Sequence, residues 1–560
     1  MKTRASWTLS VLVIALGAYL AFLLTRYFYP PHVPRFRVES LFMWFVAAGV
    51  AAICLRPSSG RGEDAEAGTP EGGPRAGPPR AAWHYAAIAA LFAAIALLEY
   101  GSALQVGLLS DDFVLADWAR KREWVHLAET GFLRPVVPFF WTALSFVPGR
   151  LDLTLHAANV LLHALNAVLI VALGGRLGME RLESLVAGLL FVTAPALSEA
   201  VVWCSGMQDV LTTTLGLSAI LAATTVGGVS EGSPSDVRVA SDAARTGVRV
   251  LLAVGSAVLA LGVKETAVVI PALAGAVAWA VPSGLKRGIR PWTLAAMMLV
   301  AILYAIYRVV FLVPSPYRHG VVSRYFAKQL IVGPFATLAE PWSTAWMEAH
   351  PFTSLIRALA IVGLLTAAFV TWRRGEGVFR RAAAFAAWVL LGVLPVFSLF
   401  HVSSTLEGSR YLYLPAVGFA MLLASLMGAL ARTAGTTLQH AGLRHAGLRH
   451  AGPALVGVLF VVFAAPSVKA LGAEIGRWND AARLRDAILD QVAGNAGLSR
   501  CRSFSTVALA DNVEGAYVFR NGLDLALAAR RGGASTVRAP TDRCQISWNA
   551  ERVVLVSALP

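Results

Sequence analysis

The sequence predicts a mostly α-helical, polytopic transmembrane bundle of about thirteen spans, followed by a small C-terminal extramembrane α/β domain. Three observations predict it. Of 560 residues, 57% are hydrophobic and 14% charged, where soluble chains carry about 25% charged residues. Apolar runs long enough for a hydrocarbon core of about 30 Å recur along most of the chain. Beyond about Ala470 these runs give way to shorter polar and apolar segments. The formal net charge of +15 therefore reads as cytoplasmic loops and anionic lipid contacts. No basic groove interleaved with stacking aromatics supports a nucleic-acid partner.

The first span runs from about Trp7 to Leu24 and reads as uncleaved, because "FLLTRYFYPP" lacks a small-residue cleavage site. With a second span, Leu41 to Leu55, it forms an extra N-terminal hairpin, residues 1–56. The Gly/Pro-rich "RPSSGRGEDAEAGTPEGGPRAGPPR" predicts a disordered cytoplasmic linker within 57–84. A transmembrane module then occupies 85–470, with outer loops at 105–150 and 313–351. Its first span is Tyr85 to Leu104, and others start near Leu153, Leu185, Val210, Val248, Thr266, Trp292, Phe352, Ala382, Leu412 and Pro453.

With the N-terminus cytoplasmic, counting places "SGLKRGIRP" and "TWRRGEGVFRR" inside, as the positive-inside rule requires. The same count puts "SDDF", "GVKETA", "HVSSTLEGSRYLY" and the tail, 471–560, on the outer side. The tail's periodicity suggests a helix, then strand, helix and strand. In an oxidising compartment Cys501 and Cys544 can form a disulfide there. The three His of "HAGLRHAGLRHAG" recur every five residues, share no helix face and make a poor metal site.

Polar residues gather at the outer ends of the spans. Asp111 and Asp112 suit a helix N-terminus, where carboxylates complement the dipole, and equally a general base that such a cap would aim. Arg134 precedes a proline in "FLRPVVPFFW". His156, Asn159, His163 and Asn166 fall on one helix stripe, which predicts an inward-facing set that bonds neighbouring helices or lines a site. Glu199 and Asp209 punctuate "TAPALSEAVVWCSGMQDVL". Lys264 and Glu265 interrupt a long apolar stretch, either as a turn with a surface ion pair or as site residues. Glu407, Arg410, Tyr411 and Tyr413 stand at a span entrance, where Arg and Tyr also serve as interfacial anchors. Carboxylates beside cations suit a reaction in which a hydroxyl loses a proton while a phosphate departs.

The motifs "SDDF", "LRPVVPFFW", "ANVLLHALNAVLIVAL", "APALSEAVVWCSGMQDVL", "VKETAVVIPAL" and "RYLYLPAVGFAMLLA" occur in that order from Ser110 to about Leu430. Together they resemble the GT-C superfamily of polytopic glycosyltransferases, in particular the protein O-mannosyltransferase branch and its TPR-bearing relatives. The chain departs from that pattern at Ala194, Leu197 and Met207, where the family carries His, His and Arg, and it has no TPR array.

The resemblance implies a GT-C-like fold and transfer of a sugar from a polyprenyl-phosphate donor to a glycan, lipid or protein acceptor, with inversion. It implies Asp111 or Asp112 as general base and Lys264, Arg410 and Arg134 as donor-phosphate contacts. It further implies Glu199, Asp209, Glu265, Tyr411 and His163 as substrate-binding or orienting residues. Superfamily members differ in metal dependence, so a divalent metal stays open and no cofactor is assigned. The setting implied is a bacterial inner membrane, with the C-terminus periplasmic. Two alternatives are a transporter or lipid flippase, whose pathway the polar stripe would line, and a catalytically inactive scaffold.

Overall fold

The computed structural model describes residues 80–125, 132–226, 236–281, 287–311, 333–339, 351–373, 377–396, 402–403, 405–440, 451–494, 503–508, 511–530, 543–549 and 552–559. The expected spans from Trp7 and Leu41, the linker to residue 79, most of the outer loop 313–351 and the body of the His repeat lie outside them. So does Cys501, and with it the expected disulfide to Cys544.

Helix α1 (Arg80–Tyr100) begins inside the segment expected to be linker. It leads through a 3-10 turn to α2 (Asp111–Lys121), α3 (Val136–Ser145) and α4 (Leu151–Arg176). Next come α5 (Arg181–Val192), the short α6 (Ser198–Val202), α7 (Met207–Ala223), α8 (Asp236–Val263) and α9 (Ile270–Ala280). They are followed by α10 (Pro291–Phe311), α11 (Gly333–Leu338), α12 (Pro351–Arg373), α13 (Gly377–Val393), α14 (Tyr413–His440) and α15 (Ala451–Gly494). A two-stranded pairing of β1 (Thr224–Val226) with β2 (Arg287–Ile289) joins two inter-helix segments.

Seven helices among the described residues are long and apolar enough to cross a membrane, or eight if the bent pair α5–α6 is one span. Exposed Leu251, Leu252, Leu299, Leu303, Leu359 and Leu365 give α8, α10 and α12 outer faces that only lipid solvates cheaply. The chain is an integral membrane protein. The described residues thus account for fewer spans than the thirteen expected. The segment expected to span from Thr266 forms only a short apolar helix, Glu265–Ala280, and the one near Leu185 bends by 56° around Pro195. A hydropathy average cannot register such breaks, since proline is itself compatible with an apolar run.

In the core, α4 packs on α1, α5 and α7, while α14 packs on α5, α12, α13 and α15. Phe92, Tyr100, Ile170, Phe191, Trp388 and Tyr413 are fully buried there. Helix α15 runs unbroken for 44 residues, through the expected domain boundary at 470. At about 1.5 Å per residue it is about 66 Å long, twice a hydrocarbon core, so one half projects beyond the membrane. That half buries Ile475, Trp478 and Ile488 against the loops at the ends of the spans.

After α15 the chain forms β3 (Ser503–Ala508), the hairpin β4 (Asn512–Val513) and β5 (Ala516–Tyr517), α16 (Leu523–Arg530), β6 (Arg543–Asn549) and β7 (Arg552–Leu559). Strands β3 and β6 pair in parallel, and β7 adds to β6 antiparallel.

Candidate active site

The loop before α2 is a tight turn in which Asp112 N–H donates to the Leu109 carbonyl at 3.0 Å. Ser110, its second residue, has φ 49° and ψ −119°, a conformation that strains a non-glycine residue. Ser110 stands at the N-cap position but makes no side-chain cap, and among the described residues its buried hydroxyl has no partner. Asp112 takes over: its Oδ2 accepts the Leu109 N–H at 2.9 Å, and its Oδ1 accepts the Ser205 N–H at 2.7 Å and the Ser205 hydroxyl at 2.5 Å. Asp112 is fully buried, and burial drives its carboxyl up to about 7, against the pull of these hydrogen bonds and with Asp111 adding to the rise. Asp111 remains partly exposed and accepts from Asn521 Nδ2 at 2.6 Å. The adjacent carboxylates therefore differ in kind. Asp112 is consumed in holding the loop; Asp111 is reachable.

Ser205 reaches Asp112 because the chain folds sharply between α6 and α7. A side chain on Gly206 would start 2.6 Å from the Ala200 carbonyl oxygen, so only glycine lets the two segments close. Trp203 Nε1 donates to the Leu109 carbonyl at 3.1 Å, and Arg485 of α15 donates to the carbonyls of Val106 and Leu108 at 2.6 and 2.8 Å. Two distant segments, the α6–α7 turn and α15, thus pin the Asp loop.

Beside it runs a chain of ion pairs. Glu199 accepts from Arg410 Nη1 at 2.8 Å and from its backbone N–H at 3.2 Å. Lys264 Nζ lies 2.6 and 2.7 Å from the two oxygens of Asp209, both side chains being nearly inaccessible. Arg134 grips Glu265 through Nε at 2.9 Å and Nη2 at 2.6 Å, and donates to Gln208 at 2.7 Å. Lys264 and Glu265 are consecutive but point to different partners, so the expected surface pair between them does not form. Tyr411 links the set: Lys264 lies 4.9 Å and Arg410 5.1 Å from its ring centroid. All three cations predicted to meet a phosphate are already matched by a carboxylate.

The polar stripe of α4 is buried in full. His156 bonds the Gly107 carbonyl at 3.1 Å, and Asn159 donates to the carbonyls of Ala200 and Val201, both at 2.8 Å. His163 Nδ1 pairs with the Tyr413 hydroxyl at 2.6 Å, and Asn166 donates to that hydroxyl at 3.2 Å. His163 is enclosed by the rings of Tyr100, Phe191 and Tyr413, so this end of the stripe bonds neighbouring helices inside the core.

Several residues at this place carried no sequence signal. Ser205 stands in an ordinary turn, and Tyr517 and Asn521 lie about a hundred residues beyond the last matching motif. Arg308, in the last turn of α10, belongs to none of the motifs quoted above. It lies 3.8 Å from Glu265 and 5.3 Å from the Phe132 ring centroid, the second cation on that carboxylate. Among the described residues these pairs set four cations, Arg134, Lys264, Arg308 and Arg410, against three carboxylates, Glu265, Asp209 and Glu199, one positive charge in excess within the set. Among the described residues, no three His, Cys, Asp or Glu side chains converge as a metal site.

No family model matches the chain, and no curated protein matches it. Among solved structures it is similar to ArnT from Cupriavidus metallidurans in the apo state, at 14% identity and TM-score 0.42 over 85% of this chain and 98% of that one. It is also similar to the Archaeoglobus fulgidus oligosaccharyltransferase tethered to an acceptor peptide, at 13% identity and TM-score 0.42. That match covers 74% of this chain and 58% of that one, so the chain spans under two thirds of the archaeal protein. The same organism's AglB with an inhibitory peptide and a dolichol-phosphate matches at 12% identity and TM-score 0.41, over 75% of this chain and 59% of that one. With TM-scores below 0.5, neither a family nor a reaction rests on these likenesses.

Proposed function

We propose that the chain is a GT-C-type glycosyltransferase that moves a sugar from a polyprenyl-phosphate donor to an acceptor hydroxyl at the outer face of the membrane. What carries this reading is the contrast at the Asp loop: a reachable carboxylate, Asp111, on a turn held rigid by its buried neighbour, beside a cluster with surplus positive charge. Asp111 is the general base, taking the acceptor's proton as its oxygen attacks the anomeric carbon. Polyprenyl phosphate departs with inversion, its charge met by Arg308 and by donors of Arg410 and Arg134 left free by Glu199 and Glu265. Lys264 and Asp209 set the local field, and Tyr411 keeps Lys264 and Arg410 side by side. The membrane is a bacterial inner membrane, the site is periplasmic, and the acceptor is a glycan, lipid or protein hydroxyl. No divalent metal is assigned; activity after chelation and metal add-back decides that point.

The test is transfer from radiolabelled polyprenyl-phosphate mannose and glucose by purified protein in lipid, with Asp111→Asn and Asp112→Asn made separately. Asp111→Asn should lose transfer by about 10²-fold or more while keeping wild-type stability. Wild-type rates in both variants would sink the assignment of a base to this loop. The inactive-scaffold alternative draws on the ion pairs that occupy Arg134, Lys264 and Arg410. It predicts no transfer by the wild type with any donor.

A further inference from the structure

The β4–β5 hairpin and the segment after it, Asp511–Asn521, belong to no motif of the transmembrane module, yet they lie across the candidate site. The hairpin turns through Glu514 and Gly515, φ 45° and 94°, as a two-residue turn between twisted strands requires. From there the segment touches the Asp loop and the segment that precedes α14. Val518 accepts the Ser110 N–H at 3.0 Å, and Phe519 stacks on Phe113 at 6.2 Å between centroids. Arg520 pairs with Glu407 at 2.6 Å. Gly522, at φ 82°, lets the backbone pass where a Cβ would stand 2.7 Å from the Ser110 carbonyl oxygen.

Two side chains end on the groups assigned to the reaction. Asn521 Nδ2 donates to Asp111 Oδ1 at 2.6 Å. The buried Tyr517 donates its hydroxyl to Glu199 Oε1 at 3.2 Å, on the carboxylate that holds Arg410, with its ring 4.7 Å from that of Trp203. Burial, then the Glu199 charge, pushes the Tyr517 phenol up, so it stays a donor.

We propose that this C-terminal segment is part of the catalytic centre, with Asn521 the positioning residue for Asp111 and Tyr517 the positioning residue for the Glu199–Arg410 pair. The assignment rests on the transferase function proposed above and extends it. Asn521 holds one Asp111 oxygen and leaves the other for the acceptor hydroxyl. Tyr517 shares Glu199 Oε1 with Arg410 Nη1, which also donates to the Tyr517 hydroxyl at 3.5 Å, so the phenol fixes one edge of the guanidinium and leaves its other donors aimed at the departing phosphate. The two contacts act on different steps and have different kinetic signatures.

The experiment measures kcat, KM for the lipid donor and the pH–rate profile of full-length protein in lipid, for wild type, Asn521→Ala, Asn521→Asp and Tyr517→Phe. Asn521→Ala should lower kcat about tenfold with little change in KM. Asn521→Asp sets a second carboxylate against Asp111 and should move the acidic limb of the kcat profile to higher pH. Tyr517→Phe keeps the ring in place and should raise the donor KM about tenfold, with the smaller effect on kcat. Unaltered profiles in all three variants, or one common loss of kcat and KM, overturn the assignment while the transferase function stands. A wild type that transfers no sugar overturns both.

Discussion

Asp112 accepts both the backbone N–H and the hydroxyl of Ser205, at 2.7 and 2.5 Å, across 93 residues of sequence. With the Leu109 N–H on its other oxygen, this buried carboxylate ties the Asp loop to the α6–α7 turn. Its neighbour is thereby left to face outward with a single hydrogen-bond donor from the C-terminal segment.

That carboxyl predicts a pH dependence of stability. Its folded-state value, raised to about 7, lies above the ordinary value of 3.8, so between these limits the folded chain binds more protons than the unfolded one. The stabilisation is present below about pH 4 and is lost as pH rises toward 7. Asp112→Asn removes this dependence, although it sets an amide N–H against a backbone or hydroxyl donor at a cost of about 1–3 kcal/mol. Apparent Tm of the two proteins in detergent, measured from pH 4 to 8, should converge as pH rises; a constant difference would refute the account.

The Lys264–Asp209 pair is buried on both sides. Asp209→Leu should cost about 3–5 kcal/mol, because it strands an ammonium in the interior. The apolar double variant Lys264→Met/Asp209→Leu should recover most of that loss without recovering transfer. Apparent Tm and labelled-donor transfer on all four corners of the cycle check it, and an additive double variant would speak against coupling.

Gly206→Ala brings a Cβ against the backbone of Ala200, at 2.6 Å from its carbonyl oxygen, 2.7 Å from its Cα and 2.9 Å from its carbonyl carbon. None of these atoms can swing aside. A loss of about 1–3 kcal/mol is expected, with a larger fall in transfer as Ser205 leaves Asp112. An alanine variant with wild-type Tm and rate would show that the turn opens freely.

Arg308→Gln removes the second cation on Glu265 and leaves the Arg134 grip intact. The donor KM should rise about tenfold with kcat near wild type. Initial rates against a titration of polyprenyl-phosphate donor read this directly; an unchanged KM would exclude Arg308 from the phosphate contact.

Legibility differed among the parts of this site. That the chain has membrane helices was plain, since an apolar run is a local property, but their breaks at Pro195 and after Lys264 were not. Asp111, Glu199, Lys264 and Arg410 were legible as charges at the ends of spans, where an ionisable group is costly without a purpose. Their partners were not. The Lys264–Glu265 neighbours suggested each other, whereas packing turned one to Asp209 and the other to Arg134. Of the two aspartates at the helix start, Asp112 holds the loop, a choice that depended on Ser205 arriving from elsewhere.

The sequence by itself determined that this is a membrane chain of many apolar helices, with acids and bases gathered at the ends of its spans. Only the tertiary structure decided which carboxylate is buried and which is reachable, and that a C-terminal hairpin reaches them. The reason is range. Hydropathy and capping act over a turn or two of helix, whereas Arg134–Glu265, Arg410–Glu199, Tyr517–Glu199 and Asn521–Asp111 close across 131, 211, 318 and 410 residues. Contacts at that separation exist only once the helices have packed and brought their ends together.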